Sequence, residues 1–138
     1  MNKRTWIQWS LALGLSLWAS TSQAQVEPFK VGLLLPMSGP FASTGKQLLA
    51  GVQLYLAENG STVAGRKIEL IVKDDNGVPD VTKRLAQELV ANQKVDVLAG
   101  FGLTPLALAT APIATQSKTP MVVMAAATSS ITQASPYI

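Results

Sequence analysis

The feature that most constrains the fold is an alternation of two hydrophobic patterns that repeats along residues 30–134. A short, unbroken apolar run comes first, and a longer segment with apolar residues at helical spacing follows it. Short unbroken apolar runs are typical of strands that are buried on both faces, as in parallel sheets. The alternation therefore predicts an α/β fold, a parallel sheet with flanking helices joined by right-handed crossovers.

The predicted elements follow one another with short connections. Strands are predicted over residues 31–35, 68–73, 95–99 and 121–125, and helices over residues 44–59, 80–92 and from 104 onward. Gly60 is placed to end the first helix, and Asp80 to cap the second. Thr104 and Pro105 predict the start of the third, with the hydroxyl at the cap and the proline in the first turn. Pro112 is expected to kink or interrupt that helix.

This order of elements also predicts where a ligand would bind. In open parallel sheets, ligands sit beyond the carboxyl ends of the strands. The connections that leave those ends are loop 1 (residues 36–44), loop 2 (74–79), loop 3 (100–104) and loop 4 (125–130). We expect these loops to meet along one edge of the sheet and to carry the function.

Composition excludes several classes of function. The chain has 138 residues, enough for one domain, and contains no Cys and no His. A disulfide framework, a Cys/His zinc site, a thiol nucleophile and a Ser-His-Asp triad are therefore excluded within it. The sequence predicts a protein that is not an enzyme and that has no cofactor and no metal site. Its basic residues are scattered and form no stripe with aromatic residues, so no nucleic-acid partner is predicted.

The first 24 residues are predicted to be a cleavable signal peptide. Lys3 and Arg4 form a short positive start, the apolar stretch from Trp6 to Trp18 follows, and small residues lead to Ala24. The alternative is a membrane anchor, but the apolar stretch is only about 13 residues and about 20 are needed to cross a bilayer. We place the cut after Ala24, which predicts an exported product.

Loop 1 has some likeness to a phosphate-binding P-loop, because Gly39 and Gly45 flank it and Lys46 follows. The motif fails on spacing and on chemistry. Five residues separate the glycines where four are required, and Gln47 replaces the hydroxyl residue that binds magnesium. Nucleotide binding is therefore not predicted. The better interpretation is a shaped loop that brings Thr44 to the edge of a cleft.

The acidic pair Asp74-Asp75 and the two threonines Thr104 and Thr128 each allow two interpretations. The acidic pair suggests a metal or phospho-acceptor pocket, or a turn that is satisfied by its own carboxylates and the adjacent helix. Thr104, at a helix start after Gly100 and Gly102, suits the binding of a carboxylate, and Thr128 can add a second hydroxyl donor. The alternative for each threonine is a plain helix cap.

Several segments, taken in order, resemble one known family. They are Val31-Gly-Leu-Leu-Leu-Pro-Met-Ser-Gly-Pro-Phe-Ala-Ser-Thr-Gly45, Gly65-Arg-Lys-Ile-Glu-Leu-Ile-Val-Lys-Asp-Asp75, Val95-Asp-Val-Leu-Ala-Gly100, residues 120–128 and Ser135-Pro136-Tyr137. Together they cover nearly all of residues 29–138. The chain resembles the Leu/Ile/Val-type (branched-chain amino acid) periplasmic substrate-binding proteins of ABC importers, and specifically their N-terminal part.

The resemblance implies a two-lobed periplasmic binding protein fold of type I, with the solute held between the lobes. Residues 25–138 would then be an incomplete first lobe, cut off before lobe 2. Carried over from the family, the ligand contacts fall on Thr104, on Ala126 through its backbone and on Thr128, with Thr44 near the pocket rim. The implied partners are a small solute, either an amino acid or an organic acid, and an ABC permease in the inner membrane.

Two departures from the family pattern affect this prediction. Residues 101–105 lack the serine cluster of many amino-acid binders, which admits an aromatic or other organic acid as the solute. The family is also well over twice this length. The alternatives that stay open are the ligand-sensing extracellular domain of a receptor, an exported enzyme whose catalytic residues lie elsewhere, and a truncated fragment without function.

Overall fold

The computed structural model describes residues 26–138, so the predicted signal peptide, its cut after Ala24 and Gln25 lie outside the described residues. The elements, in chain order, are β1 (Phe29–Leu35), a 3-10 turn (Gly39–Phe41), α1 (Ala42–Asn59), β2 (Thr62–Val63), β3 (Arg66–Asp74), α2 (Pro79–Glu88) with a π-helical extension (Leu89–Gln93), β4 (Val97–Gly100), α3 (Thr104–Ser117), β5 (Met121–Val123) and α4 (Ser129–Ala134).

The strands form one mostly parallel sheet with the order β2-β3-β1-β4-β5. β1 pairs in parallel with β3 and β4, and β4 pairs in parallel with β5. The chain builds outward from β1 to β3 on one side and then crosses to β4 on the other. The strand order therefore reverses between β1 and β4, where an open α/β sheet leaves a crevice for a ligand. The predicted α/β fold with a parallel sheet is confirmed.

The hairpin strand β2 was not predicted from the sequence. Thr62 and Val63 pair antiparallel with Lys67 and Arg66 around a tight turn. The turn residues Ala64 and Gly65 both have positive φ, at 50° and 78°, which is the backbone of a type I′ hairpin turn. Two residues are too few to show an alternating pattern, so the sequence gives no strand signal here.

The sheet buries side chains on both faces, as the unbroken apolar runs require. In β1, Leu34 points into a core with Leu98 of β4 and the inner faces of α2 and α3. Its neighbours Leu33 and Leu35 point to the opposite face, where the partly buried apolar residues of α1 pack. All three leucines are at most 1% exposed. The continuous apolar strand β1 is thus the centre of the fold.

The starts of α2 and α3 differ from prediction by one or two residues. Val78, rather than Asp80, is the N-cap of α2, because its extended backbone presents a carbonyl to the Thr82 amide at 2.9 Å. Leu103, rather than Thr104, is the N-cap of α3 for the same reason, and its carbonyl accepts from the Leu106 amide at 3.1 Å. Each proline then falls inside the first turn, where its missing N–H costs no bond.

Pro112 does not interrupt α3, which continues to Ser117. The proline removes the hydrogen bond to the carbonyl of Leu108, one turn earlier. Both Pro112 and Leu108 are exposed, so water can reach the freed carbonyl. The predicted interruption was wrong because this proline lies on the solvent face of the helix.

Within residues 26–138, no helix is both long enough and apolar enough to cross a membrane.

Candidate functional site

Loops 1 and 2 are joined by polar contacts at the carboxyl edge of the sheet. Oδ1 of Asp74 accepts the backbone N–H of Met37 at 2.9 Å and that of Asn76 at 2.9 Å. The side chain of Asn76 hydrogen-bonds the Ser38 hydroxyl. With its amide nitrogen facing these groups, Asn76 also donates to Oδ2 of Asp74 at 3.0 Å. Loop 1 is therefore held to loop 2 through one carboxylate and one amide.

Loop 3 packs against loop 1 through a glycine. A Cβ placed on Gly102 would lie 3.1 Å from Cγ of Pro36 and 3.9 Å from Cγ2 of Thr44. The absence of a side chain at Gly102 therefore permits loops 1 and 3 to approach closely. On the other side, a Cβ on Gly77 of loop 2 would lie 3.3 Å from the Phe41 ring. Loops 1, 2 and 3 thus form one contiguous surface.

Loop 4 is tied to loop 3 by backbone hydrogen bonds. The N–H of Met124 donates to the Gly100 carbonyl at 2.8 Å, and the N–H of Ala126 donates to the Phe101 carbonyl at 3.2 Å. Phe101 is fully buried and has a positive φ of 63°, a conformation that costs a bulky residue about 1–3 kcal/mol. The four loops predicted to meet at one edge therefore do so, and the left-handed Phe101 lies next to the point where the strand order reverses.

Thr104 lies at the first position of α3 and is half-buried. No side chain caps this end of the helix. The first N–H groups of a helix have no partner within it, and together with the helix dipole they favour a negative charge. Pro105 has no N–H and the Leu106 amide donates to the Leu103 carbonyl, so the donors left in this turn are the hydroxyl and the amide of Thr104. This arrangement suits a carboxylate, as the sequence predicted, although the hydroxyl lies one position inside the helix.

The predicted contacts on loop 4 already have hydrogen-bond partners within the loops, although Thr128 is exposed. The Ala126 amide is already engaged with Phe101, so its N–H would have to be shared with a ligand. Thr128 is the N-cap of α4, but its hydroxyl does not cap the helix and lies 3.3 Å from the Ser130 hydroxyl. Thr128 also lines a cavity of about 420 Å³ beside β5, together with Val122 and Ile131. Thr44 belongs to the first turn of α1 and contacts the loop 3 side.

The two acidic residues at the end of β3 have opposite environments. Desolvation by its neighbours works to raise the pKa of the exposed Asp74, but hydrogen bonds from Asn76, Ser38 and Met37 outweigh it and hold that pKa below its ordinary value of 3.8. Burial raises the pKa of Asp75 above 3.8; the Gly77 amide opposes the rise and the charge of Asp74 adds to it. Asp75 accepts from the Gly77 N–H at 2.9 Å through Oδ1.

These contacts favour the interpretation of the acidic pair as a turn satisfied by its own carboxylates. Each carboxylate accepts the amide two residues further on, a self-closing turn. Oδ2 of Asp75 is buried and has no hydrogen-bond partner among the described residues. Within residues 26–138, no group of three acidic or otherwise metal-binding side chains comes together. The site offers hydroxyl and amide donors.

Another open space lies away from the loop edge. A cavity of about 510 Å³ lies between α1 and the sheet, and its lining, which includes Val31, Leu70 and Tyr55, is almost entirely apolar. The polar side chains in this lining are those of Gln47 and Tyr55, so the cavity suits an apolar group better than an anion. We therefore take the loop edge, where hydroxyl and amide groups meet, as the candidate site.

Two features of the site could not be predicted from the sequence. The bond from the Met37 amide to Asp74 joins residues 37 positions apart, and no local pattern signals it. The left-handed conformation of Phe101 was also missed, since aromatic residues rarely adopt it. The Gly100 and Gly102 pair that flanks Phe101 is the one available signal of an unusual backbone.

A mostly parallel sheet flanked by helices, with hydroxyl- and amide-bearing turns converging on its carboxyl edge, has the architecture of a lobe from a solute-binding protein of type I. A family model supports this class across most of the chain. The periplasmic binding protein model matches residues 28–138, and the chain belongs to that family. Members of the family are extracytoplasmic and use a solute-binding fold that is typically not enzymatic.

Three relatives illustrate the similarity. The Leu/Ile/Val-binding protein homolog 6 of Brucella abortus is 48% identical over 124 residues, which are 89% of this chain and 31% of that protein. A solute-binding protein of an ABC transporter from Rhodopseudomonas palustris BisB5, in complex with 3,4-dihydroxybenzoic acid, is 63% identical with a TM-score of 0.80, covering 80% of this chain and 31% of that one.

The third relative is a solute-binding protein of an ABC transporter from Rhodopseudomonas palustris HaA2, in complex with p-hydroxybenzoic acid. It is 48% identical, with a TM-score of 0.77, and the match covers 81% of this chain and 30% of that one. The chain therefore spans less than a third of the length of the relatives it matches. The resemblance found in the sequence is confirmed at the level of the family.

Proposed function

We propose that residues 25–138 are the first part of lobe 1 of a periplasmic solute-binding protein that delivers a small organic acid to an ABC permease. The observation that carries this proposal is the convergence of the loops at the carboxyl edge, with Thr104 at the uncapped start of α3. The proposal includes the removal of residues 1–24 on export, and a second lobe in a full-length protein of the relatives' size.

The solute we infer is an aromatic carboxylate of the hydroxybenzoate class. The carboxylate would meet the hydroxyl and the amide of Thr104 at the α3 start, where the helix dipole favours an anion. The two structural relatives above, at 63% and 48% identity, hold hydroxybenzoates. The absence of a serine cluster in loop 3 is consistent with a solute that lacks the ammonium of an amino acid.

Two other functions have specific support. The name of the Brucella relative supports a branched-chain amino acid as the solute, for which a carboxylate of the second lobe would bind the ammonium. The fold also supports the sensor domain of a receptor, which a membrane-spanning helix after the second lobe would identify. The remaining alternative, that the chain is a truncated fragment without function, is tested by the calorimetry of the first prediction.

The first prediction concerns the solute. The full-length protein that contains this segment is expected to bind 4-hydroxybenzoate or 3,4-dihydroxybenzoate at least about tenfold more tightly than leucine. The 138-residue chain alone is expected to bind neither, since a 1 μM complex has about −8 kcal/mol in total and one lobe supplies only part of it. Isothermal titration calorimetry measures both. Tighter binding of leucine would favour the amino-acid alternative, and no heat from any solute would refute the proposal.

The second prediction concerns Thr104. The substitution Thr104→Val keeps the shape of the side chain but removes its hydroxyl, and is expected to weaken binding of the preferred hydroxybenzoate in the full-length protein about tenfold. A hydrogen bond to a charged group contributes about 1.5–3 kcal/mol. The matched control is Thr62→Val in the exposed strand β2, which should leave the affinity unchanged. Equal affinities for wild type and Thr104→Val would remove Thr104 from the site.

A further inference from the structure

We propose that Asp74 is a positioning residue for solute binding, which fixes loop 1 on loop 2 and so sets the spacing between loop 1 and the Thr104 turn. The inference rests on the proposed function, because it concerns the same site. Asp74 itself is exposed and lies at the end of β3, on the side of loop 1 away from loop 3. We therefore place it outside direct contact with the solute.

The first step of the argument is the bond to loop 1. One oxygen of Asp74 accepts two amides, Met37 from loop 1 and Asn76 from loop 2, each at 2.9 Å. The Ser38–Asn76 bond runs beside it and closes the link. Among the described residues, these are the side-chain hydrogen bonds that join the two loops. Hydrogen bonds to an ionised carboxylate are roughly twice as strong as neutral ones, so Asp74 provides the main restraint.

The second step is the transmission from loop 1 to loop 3. Met37 directly follows Pro36, which is buried and packs closely against two glycines that leave little room for a side chain. The Cβ position of Gly102 is 3.1 Å from the Pro36 ring, and the Cβ position of Gly45 is 2.2 Å from the Pro36 carbonyl oxygen. A shift of the backbone at residue 37 therefore moves either the Gly102 contact or the first turn of α1.

The third step is the contrast with the neighbouring acids. Asp75 faces the protein interior and accepts from its own turn at Gly77. Asp80 is exposed in the first turn of α2, and no contact joins it to loop 1 among the described residues. Asp74 is thus the acid whose side chain reaches across to the next loop. Asp80 is a suitable control, because it has the same chemistry close by without the link.

The test uses Asp74→Ala, Asp74→Asn and Asp80→Ala in the full-length protein, with 3,4-dihydroxybenzoate as the probe. Asp74→Ala is expected to weaken binding about tenfold while the urea midpoint of unfolding shifts little, because the side chain is exposed. Asp74→Asn keeps an oxygen that accepts both amides and is expected to recover most of the affinity. Asp80→Ala should bind as wild type. Unchanged affinity in Asp74→Ala would overturn the proposal.

A second measurement separates this proposal from the identity of the solute. Amide hydrogen exchange without solute is expected to be about tenfold faster in Asp74→Ala at Met37 and also at Gly102 and Leu103, with Asp74→Asn close to wild type. Faster exchange at Met37 alone would show a local structural role and would overturn the positioning role. If wild type binds no hydroxybenzoate, the proposed solute fails, and the exchange at Gly102 and Leu103 still decides the role of Asp74.

Discussion

Replacement of Gly45 by alanine is expected to lower the free energy of unfolding by about 3 kcal/mol or more. Gly45 is buried in the first turn of α1, and an added Cβ would lie 2.2 Å from the carbonyl oxygen of Pro36 and 2.6 Å from its carbonyl carbon. Both are backbone atoms at the end of the central strand, so neither can rotate away. Forcing extra volume into a packed site typically costs about 1–3 kcal/mol, and more where the neighbour is rigid.

The same helix provides the control for this prediction. Gly51 is exposed in α1, and an added Cβ there meets no atom within 4 Å. Gly51→Ala is expected to stabilise the protein by about 0.5–1 kcal/mol, because alanine favours a helix more than glycine does. Urea unfolding followed by far-UV circular dichroism measures both variants. If the two substitutions shift the midpoint in the same direction, the close contact between α1 and Pro36 is not as described.

Replacement of Asp75 by asparagine is expected to stabilise the protein by about 1–3 kcal/mol at neutral pH. The side chain is fully buried, and Oδ2 has no partner among the described residues. A buried polar atom without a hydrogen bond lowers the free energy of unfolding by about 1–3 kcal/mol. Asparagine removes the buried charge while its oxygen can still accept the Gly77 amide. Its NH₂ group can donate to the neighbouring Thr82 oxygen, whose own proton is donated to the Val78 carbonyl.

The stabilisation of the protein by Asp75→Asn is expected to increase with pH. The pKa of Asp75 is raised in the folded protein relative to its ordinary value of 3.8. The folded state therefore binds a proton before the unfolded state does, and the cost of the buried charge disappears as the pH falls through the raised pKa toward 3.8. The difference in the free energy of unfolding between Asp75→Asn and wild type should decrease as the pH falls over that range. It should be largest at pH values above the raised pKa.

Thermal unfolding of both proteins between pH 4 and pH 7 tests this dependence. Asp80→Asn is the control, because it removes one exposed acid from the next helix. That substitution should destabilise slightly, by about 0.3–1 kcal/mol, since it loses a favourable charge at a helix start. A pH-independent gain in Asp75→Asn, or a loss at every pH, would contradict a charged Asp75 whose Oδ2 has no partner among the described residues.

The parallel sheet was predictable because its central strands carry a signal that few other structures produce. Leu33, Leu34 and Leu35 in succession can all be buried only where both faces of a strand are covered. The second helix, predicted over residues 80–92, was predictable because its apolar residues recur at helical spacing. The parallel pairing followed from the alternation of strands and helices, whereas the order of the strands in the sheet was not predicted. These are all properties of short windows of sequence, which is why local reasoning reached them.

What local reasoning missed depends on contacts between distant residues or on a choice between adjacent positions. Val78 and Leu103 are poor caps by side chain, yet each serves as the N-cap because the tertiary structure holds its backbone extended. The link from Asp74 to Met37 exists only after β1 and β3 pair in register, with Leu35 opposite Asp74. Sequence reasoning therefore predicted that the four loops meet at one edge of the sheet, where the candidate site lies, but not the bonds that join them.

The backbone bonds from Met124 to Gly100 and from Ala126 to Phe101 have a consequence for the kinetics of capture. They tie the last loop to the left-handed turn at Phe101, so the fold itself orders this side of the candidate site. The conformational entropy of these loops is then lost on folding rather than on association. In the proposed solute-binding protein, we therefore expect the association rate to be set by diffusion and charge, and the lifetime of the complex to be set by closure of the lobes.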